Sequence, residues 1–159
     1  MIDRFERFSY AISEIMRCWH RLAADEMGKY GLKGPYFVYF TTMYRFPDGI
    51  TAAKLGELCG RDKADVSRTI ALLESKGLVY KETTGNNSYR APLKLTEDGW
   101  TLAKLILQKT SVAVEMASKG IEWDKGVIFY EILGVITENL QNLSKDGLPE
   151  YESNGELPL

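Results

Sequence analysis

The stretch from Thr51 to Leu95 constrains this chain's fold more than any other part of it. "TAAKLGELCG" has the spacing of a short helix. Thr51 suits its N-cap, Leu55 and Leu58 are expected inward, Gly56 would let another helix approach closely, and Gly60 ends it. Four residues later, at Ala64, "ADVSRTIALLESKG" begins, with Val66, Ile70 and Leu73 on one helical stripe and Gly77 as a left-handed cap. Two short helices across a tight Gly-containing turn make a helix-turn-helix. The runs Leu78–Thr83 and Tyr89–Leu95 then flank a Gly-Asn-Asn-Ser turn, which predicts a β-hairpin. Pro92 is tolerable there because a two-stranded ribbon leaves one side of each strand unpaired. Helix, turn, helix and hairpin in that order predict the winged variant.

The flanks are helical. Phe5, Phe8, Ile12, Ile15, Trp19 and Leu22 recur at alternating steps of three and four, a heptad seam with most charges off it. Such a seam needs a partner, either the chain's own C-terminal helices or a second copy. Gly34 to Tyr44 is uncharged and opens with Pro35, which suits a first helical position, so a helix is predicted there. Thr96 is expected to cap the next helix, with Glu97 and Asp98 against its dipole, running to about Lys119. A last helix is predicted to bury Ile128, Ile132, Val135 and Leu143. The expected class is mainly α with a small β-hairpin wing (α+β). In that reading a winged helix-turn-helix at 31–96 lies between an N-terminal dimerisation helix at 1–30 and C-terminal dimerisation helices at 97–145. Residues 146–159 form a flexible tail, and the whole makes one compact domain.

Bulk properties exclude several function classes. No stretch approaches the roughly 18 apolar residues of a membrane span, and the N-terminus lacks the apolar run of a signal peptide. Two cysteines, Cys18 and Cys59, give no disulfide framework, so a cytoplasmic setting is expected. There is one histidine, His20, and none of the familiar hydrolase, metalloprotease or nucleotide-binding motifs, so no enzyme, metal or cofactor is expected. The net charge of −2 is unevenly spread: +1 over residues 1–50, +3 over 51–96 and −6 over 97–159. Phosphate attraction depends on the field within about 8–10 Å, so the positive middle counts for more than the acidic average.

That middle segment can address double-stranded DNA. A helix of about a dozen residues fits the major groove, and its first two turns reach base edges. With Val66, Ile70 and Leu73 behind, Lys63, Ala64, Asp65, Ser67 and Arg68 turn toward the front or flanks. Arg68 can grip a guanine edge or a phosphate, Lys63 a phosphate and Ser67 either, while Ala64 can touch a thymine methyl. Asp65 is read either as an acceptor for a cytosine amine or as a complement to the helix dipole. Thr51, Lys54 and Arg61 are further candidates around the helix-turn-helix, and Asn87, Ser88, Tyr89 and Arg90 at the wing. Lys54, Lys76, Lys81 and Lys94 are either positioning charges or a solvated face.

The pieces "ITAAKLGELCGRDKADVSRTIALLESKGLVYK" and "LKLTEDGW" resemble the MarR family of bacterial transcription regulators. The resemblance spans about residues 5 to 145. It implies a two-fold dimer clasped by first and last helices, with a winged domain at each lower corner, acting as a repressor. The family's wing usually carries Asp-x-Arg before its leucine-threonine pair; here Asn87 and Tyr89 stand at those positions, with Arg90 adjacent. One recognition helix contacts few bases, so a homodimer reading two half-sites about 10 bp apart is expected on a pseudo-palindromic operator.

Family members commonly respond to small aromatic acids, drugs, metals or oxidants near the junction of dimer and winged parts. The resemblance places Trp19, His20, Tyr36, Tyr39, Phe40 and Met43 there, as a pocket for a small aromatic effector or simply as core. Arg17 and Arg21 beside Cys18 would favour its thiolate, yet both cysteines also suit small buried hydrophobes. The competing reading from another class is a winged-helix protein–protein module without DNA binding; the local positive charge at 51–96 favours DNA.

Overall fold

The structure, a computed structural model, describes residues 2–82 and 91–147, with side chains from residue 6 onward within those spans. Its elements run α1 (Ile2–Gly28), a 3-10 turn (Gly34–Tyr36), α2 (Phe37–Tyr44), α3 (Ala52–Cys59), α4 (Lys63–Ser75), β1 (Val79–Lys81), β2 (Leu93–Leu95), α5 (Glu97–Ala117) and α6 (Trp123–Asp146). Six helices and one small sheet make it the mainly α winged arrangement expected. The chain divides into two compact units, Met1–Val112 and Ala113–Leu159. The boundary expected at residue 96 coincides with the start of α5. Most of that helix, as far as Val112, nevertheless belongs to the first unit, where Leu102, Ala103 and Ile106 are buried in its core.

In the first unit, buried apolar side chains converge from every element: Met27 from α1, Phe40 from α2, Leu55 from α3, Leu73 from α4, Leu93 from β2 and Ile106 from α5. Each such residue contributes about 1.5–3 kcal/mol of transfer free energy. The segment opening with Pro35 is a 3-10 turn that passes into α2, not one continuous helix. Leu58, expected inward, is 39% exposed, because α3 is only eight residues long and turns a single face, carrying Leu55 and Gly56, to the core. At Gly56 a Cβ would lie 3.0 Å from Val66 Cγ2, so the missing side chain sets the close approach of α3 and α4.

Among the described residues the strands cover less than the predicted runs, Val79–Lys81 and Leu93–Leu95. Val79 pairs with Leu95, Tyr80 with Lys94 and Lys81 with Leu93, antiparallel. Pro92 cannot donate, but its carbonyl accepts from Glu82 N at 2.9 Å. A contact not anticipated joins Ile50 to Leu93 through two backbone hydrogen bonds, a third, one-residue edge to the sheet.

A compact joint ties α4 to α5. Gly77 at φ +69° ends α4 in a Schellman arrangement: Leu78 N donates to Leu73 O at 3.0 Å and Gly77 N to Glu74 O at 2.9 Å. Thr96 Oγ1 donates to the freed Gly77 carbonyl at 2.6 Å and accepts from Gly99 N at 3.0 Å. Gly99 then lies so close to Leu78 that a Cβ would overlap the Leu78 carbonyl oxygen. The "LTEDG" pattern is thus a cap plus a contact that admits only glycine.

The second unit contains the end of α5 and the 24-residue α6, on which no residue is buried. Ile128, Ile132, Val135 and Leu143, predicted buried, are between 39% and 59% exposed. The apolar residues do recur with the helical period, but among the described residues of the unit no element is large enough to cover the face they create. The same holds for α1, where Phe8, Ile12, Ile15 and Leu22 are 39–58% exposed while Met27 reaches the core. The wing residues 83–90 and the tail from 148 lie outside the described residues. Among the described residues no helix is long and apolar enough to cross a membrane.

Candidate nucleic-acid interface

α4 is built to show one face and hide the other. Asp62 caps it, its Oδ1 accepting from Asp65 N at 2.8 Å, and that hydrogen bond holds its carboxyl below the usual carboxylate range. Val66, Thr69, Ile70 and Leu73 are buried, whereas Lys63, Ala64, Ser67 and Arg68 are exposed. The buried stripe fixes the rotation of the helix, so the outward strip follows from it without further contacts. α3, which precedes it in the chain, starts at its own cap, Lys54 N donating to Thr51 Oγ1 at 3.2 Å, and ends at Gly60 with φ +61°. Thr51 and Lys54 at the start of α3, and Arg61 in the turn before α4, all remain exposed.

Asp65 behaves differently from its neighbours. It is half-buried, and its carboxylate lies 3.9 Å from Arg61 Nε and 3.8 Å from an Arg68 guanidinium nitrogen. It also accepts from the hydroxyl of buried Tyr39 at 3.4 Å. Both readings made from sequence, cytosine acceptor and dipole partner, overlooked these contacts. A pair at i,i+3 and another at i−4,i are visible in sequence, but the link to Tyr39, 26 residues away, is not.

The remaining candidates divide. Lys54, Lys81 and Lys94, read as positioning charges, each meet a carboxylate: Glu57 at 2.8 Å, Glu74 at 3.4 Å and Glu82 at 2.8 Å. They are therefore weaker phosphate ligands than their number suggests. Asn87, Ser88, Tyr89 and Arg90 lie outside the described residues.

Of the six residues expected around an effector, Tyr39, Phe40 and Met43 are core, each at most 2% exposed. Trp19 and Tyr36 are half-buried, Trp19 edge-on to Phe37 and Tyr36 edge-on to Tyr39, and His20 is exposed. An open cleft of about 390 Å³ in the same unit involves none of them; Tyr30, Lys76, Leu78, Asp98 and Leu102 are among its walls. Its parts come from α5 and from the turns that follow α1 and α4, segments far apart in the chain, which is why no sequence signal announced it. Cys59 is half-buried against the Val38 carbonyl and Thr42, and burial pushes its thiol up, away from the reactive thiolate. Cys18 is exposed; Arg17 beside it pairs with Glu14 at 2.6 Å. Among the described residues, no three His, Cys, Asp or Glu side chains converge as a metal site would need.

A sequence model described as the MarR family matches residues 30–87. Among solved structures, the fold is similar to a putative MarR family transcriptional regulator from Listeria monocytogenes complexed with 26mer DNA. That protein is 26% identical over 89% of this chain and 96% of its own, with a TM-score of 0.76. A MarR transcriptional regulator from Methanosarcina mazei Go1 matches 87% of this chain and 92% of its own at 22% identity, TM-score 0.75. The transcriptional regulator SlyA matches 85% and 94% at 21% identity, TM-score 0.76. At such identities the last two speak for the fold alone.

Proposed function

We propose that this chain, whose residues 30–87 match the MarR family model, is a member of that family and a sequence-specific, homodimeric repressor that binds a pseudo-palindromic operator and releases it when a small aromatic molecule binds. One observation carries the DNA reading: Ala64, Ser67 and Arg68 are exposed on a helix whose opposite face is anchored in the core. That helix sits in the segment of the chain that is locally positive. Arg68 supplies guanine or phosphate contacts, Ser67 and Lys63 backbone contacts, and Ala64 close approach to the groove floor. Thr51 and Lys54 at the start of α3 and Arg61 in the turn before α4 are assigned further backbone contacts, and Asn87, Ser88, Tyr89 and Arg90 the wing's adjacent contact.

The dimer is supported by apolar faces left open on α1 and on α6. Exposed apolar surface on this scale marks an association surface, and two-fold pairing doubles the number of bases read. The aromatic residues Trp19 and Tyr36 offer planar surface for an effector, with His20 as a polar neighbour. Tyr39, Phe40 and Met43 behind them would respond only through a shift of the core.

The test is a footprint on duplex enriched from a randomised pool, with affinity followed against salt. An inverted repeat with half-sites about 10 bp apart, and log affinity falling steeply with log salt, is the expected result. A salt-independent affinity without a footprint would leave the protein–protein module as the better reading. Sedimentation should show a dimer at micromolar concentration, and a panel of phenolic acids should weaken operator binding.

A further inference from the structure

The strip that faces DNA contains an acid where cations would serve affinity better. Arg61, Lys63 and Arg68 lie within eight residues, and Asp65 sits among them. Its two oxygens divide the work: Oδ1 faces Arg68, while Oδ2 faces Arg61 and accepts from Tyr39. Tyr39 is 1% exposed, so the hydroxyl on one side of the carboxylate belongs to a ring held in the core. The two arginines are 40% and 72% exposed and pair at 3.8–3.9 Å, beyond hydrogen-bond range. Their N–H donors are therefore oriented toward the carboxylate without being consumed by it.

We propose that Asp65 is a specificity-determining residue of α4, a positioning acid that aims Arg61 and Arg68 and opposes indiscriminate phosphate binding. The proposal rests on the DNA-binding reading above. On an arbitrary duplex nearly all affinity comes from phosphates. There Asp65 both neutralises the two arginines and repels the backbone. On the matched sequence Arg68 gains a base edge that an acid three residues earlier does not obstruct, and the penalty is offset. The acid thus lowers non-specific affinity more than specific affinity, which is how a repulsive element produces discrimination.

Asp65→Asn keeps the shape and the acceptor for Tyr39 and removes only the charge. Two duplexes of equal length serve as probes: one enriched from a randomised pool by the wild-type chain, and one scrambled. At about 0.1 M salt the variant should bind the scrambled duplex roughly tenfold more tightly, with its salt slope steeper by about one unit, as one more phosphate contact implies. Affinity for the enriched duplex should change by less than about threefold, so the specificity ratio falls. Tyr39→Phe, which removes the anchor and no charge, should leave the slope unchanged and still lower the ratio by about threefold. Thermal melts confirm that both variants are folded. Equal weakening on both duplexes, or an unchanged slope in Asp65→Asn, would overturn the proposal. So would a loss confined to one cytosine-bearing position, which would make Asp65 a direct base reader. If the wild-type chain does not distinguish the two duplexes, it is the DNA-recognition reading that fails, and the Asp65 proposal with it.

Discussion

α4 and α6 are both amphipathic helices, yet only one has its apolar face covered. In α4, Val66, Thr69, Ile70 and Leu73 are buried and the polar face is exposed because the helix is rotated to bury them. In α6 the apolar residues recur with the same period, and none is buried. Covering a face requires neighbours: α4 has α3, β1 and the start of α5, all tied by short turns, while α6 shares its unit with little more than the end of α5. A helical stripe in a sequence therefore states a need for a partner without saying whether that partner lies in the same chain. The proposed recognition surface depends on the first answer, and the proposed dimer on the second.

The contrast is broken most severely at glycine. Gly99→Ala forces a Cβ into the Leu78 carbonyl at the α4–α5 joint and should cost more than about 3 kcal/mol or prevent folding of the first unit. Gly134→Ala on α6 meets nothing within 4 Å and should change the melting of the isolated chain by no more than about 1 kcal/mol, in the stabilising direction. Calorimetry on the pair measures both. Next in size, Leu73→Ala should cost about 2–5 kcal/mol in chemical unfolding. Ile132→Ala should leave monomer stability within about 0.5 kcal/mol while shifting sedimentation toward monomer. An equal loss of stability at both would erase the distinction drawn here.

Arg68→Ala sharpens it on the polar side. Stability should stay within about 0.5 kcal/mol because the side chain is exposed, whereas operator affinity should fall by about 1–3 kcal/mol. Titration by fluorescence anisotropy reads that loss. The smallest effect concerns acid. The carboxylate of Asp62 is held below its ordinary value of 3.8 because Asp65 N donates to the ionised form. Its cap is therefore fully present above that value and is lost as pH falls below it, through the folded-state value. Hydrogen exchange at the Asp65 amide should lose protection over that window, and Asp62→Asn, which caps without titrating, should remove the dependence.

Much of this was legible in the chain itself. Thr51, Gly60, Gly77 and Thr96 were identifiable as caps because capping is a local hydrogen-bonding matter settled within four residues. The outward strip Ala64–Ser67–Arg68 followed from the period of Val66, Ile70 and Leu73. Leu58 and the α6 stripe were misjudged since period gives direction but not coverage. Ile50's bridge to Leu93 carried no signal because one residue has no period. Three of the six aromatic-cluster residues are core, for the reason that an aromatic side chain looks the same in sequence whether it lines a cleft or fills one.

By itself, then, the sequence determined where helices start and stop, which faces are apolar and where positive charge gathers, because each depends on neighbours a few bonds away. Only the tertiary structure decided that Gly99 must admit the Leu78 carbonyl, that Tyr39 reaches Asp65, and that the faces of α1 and α6 stay open. Those are contacts or vacancies between residues far apart along the chain, and their existence depends on packing that no local pattern encodes.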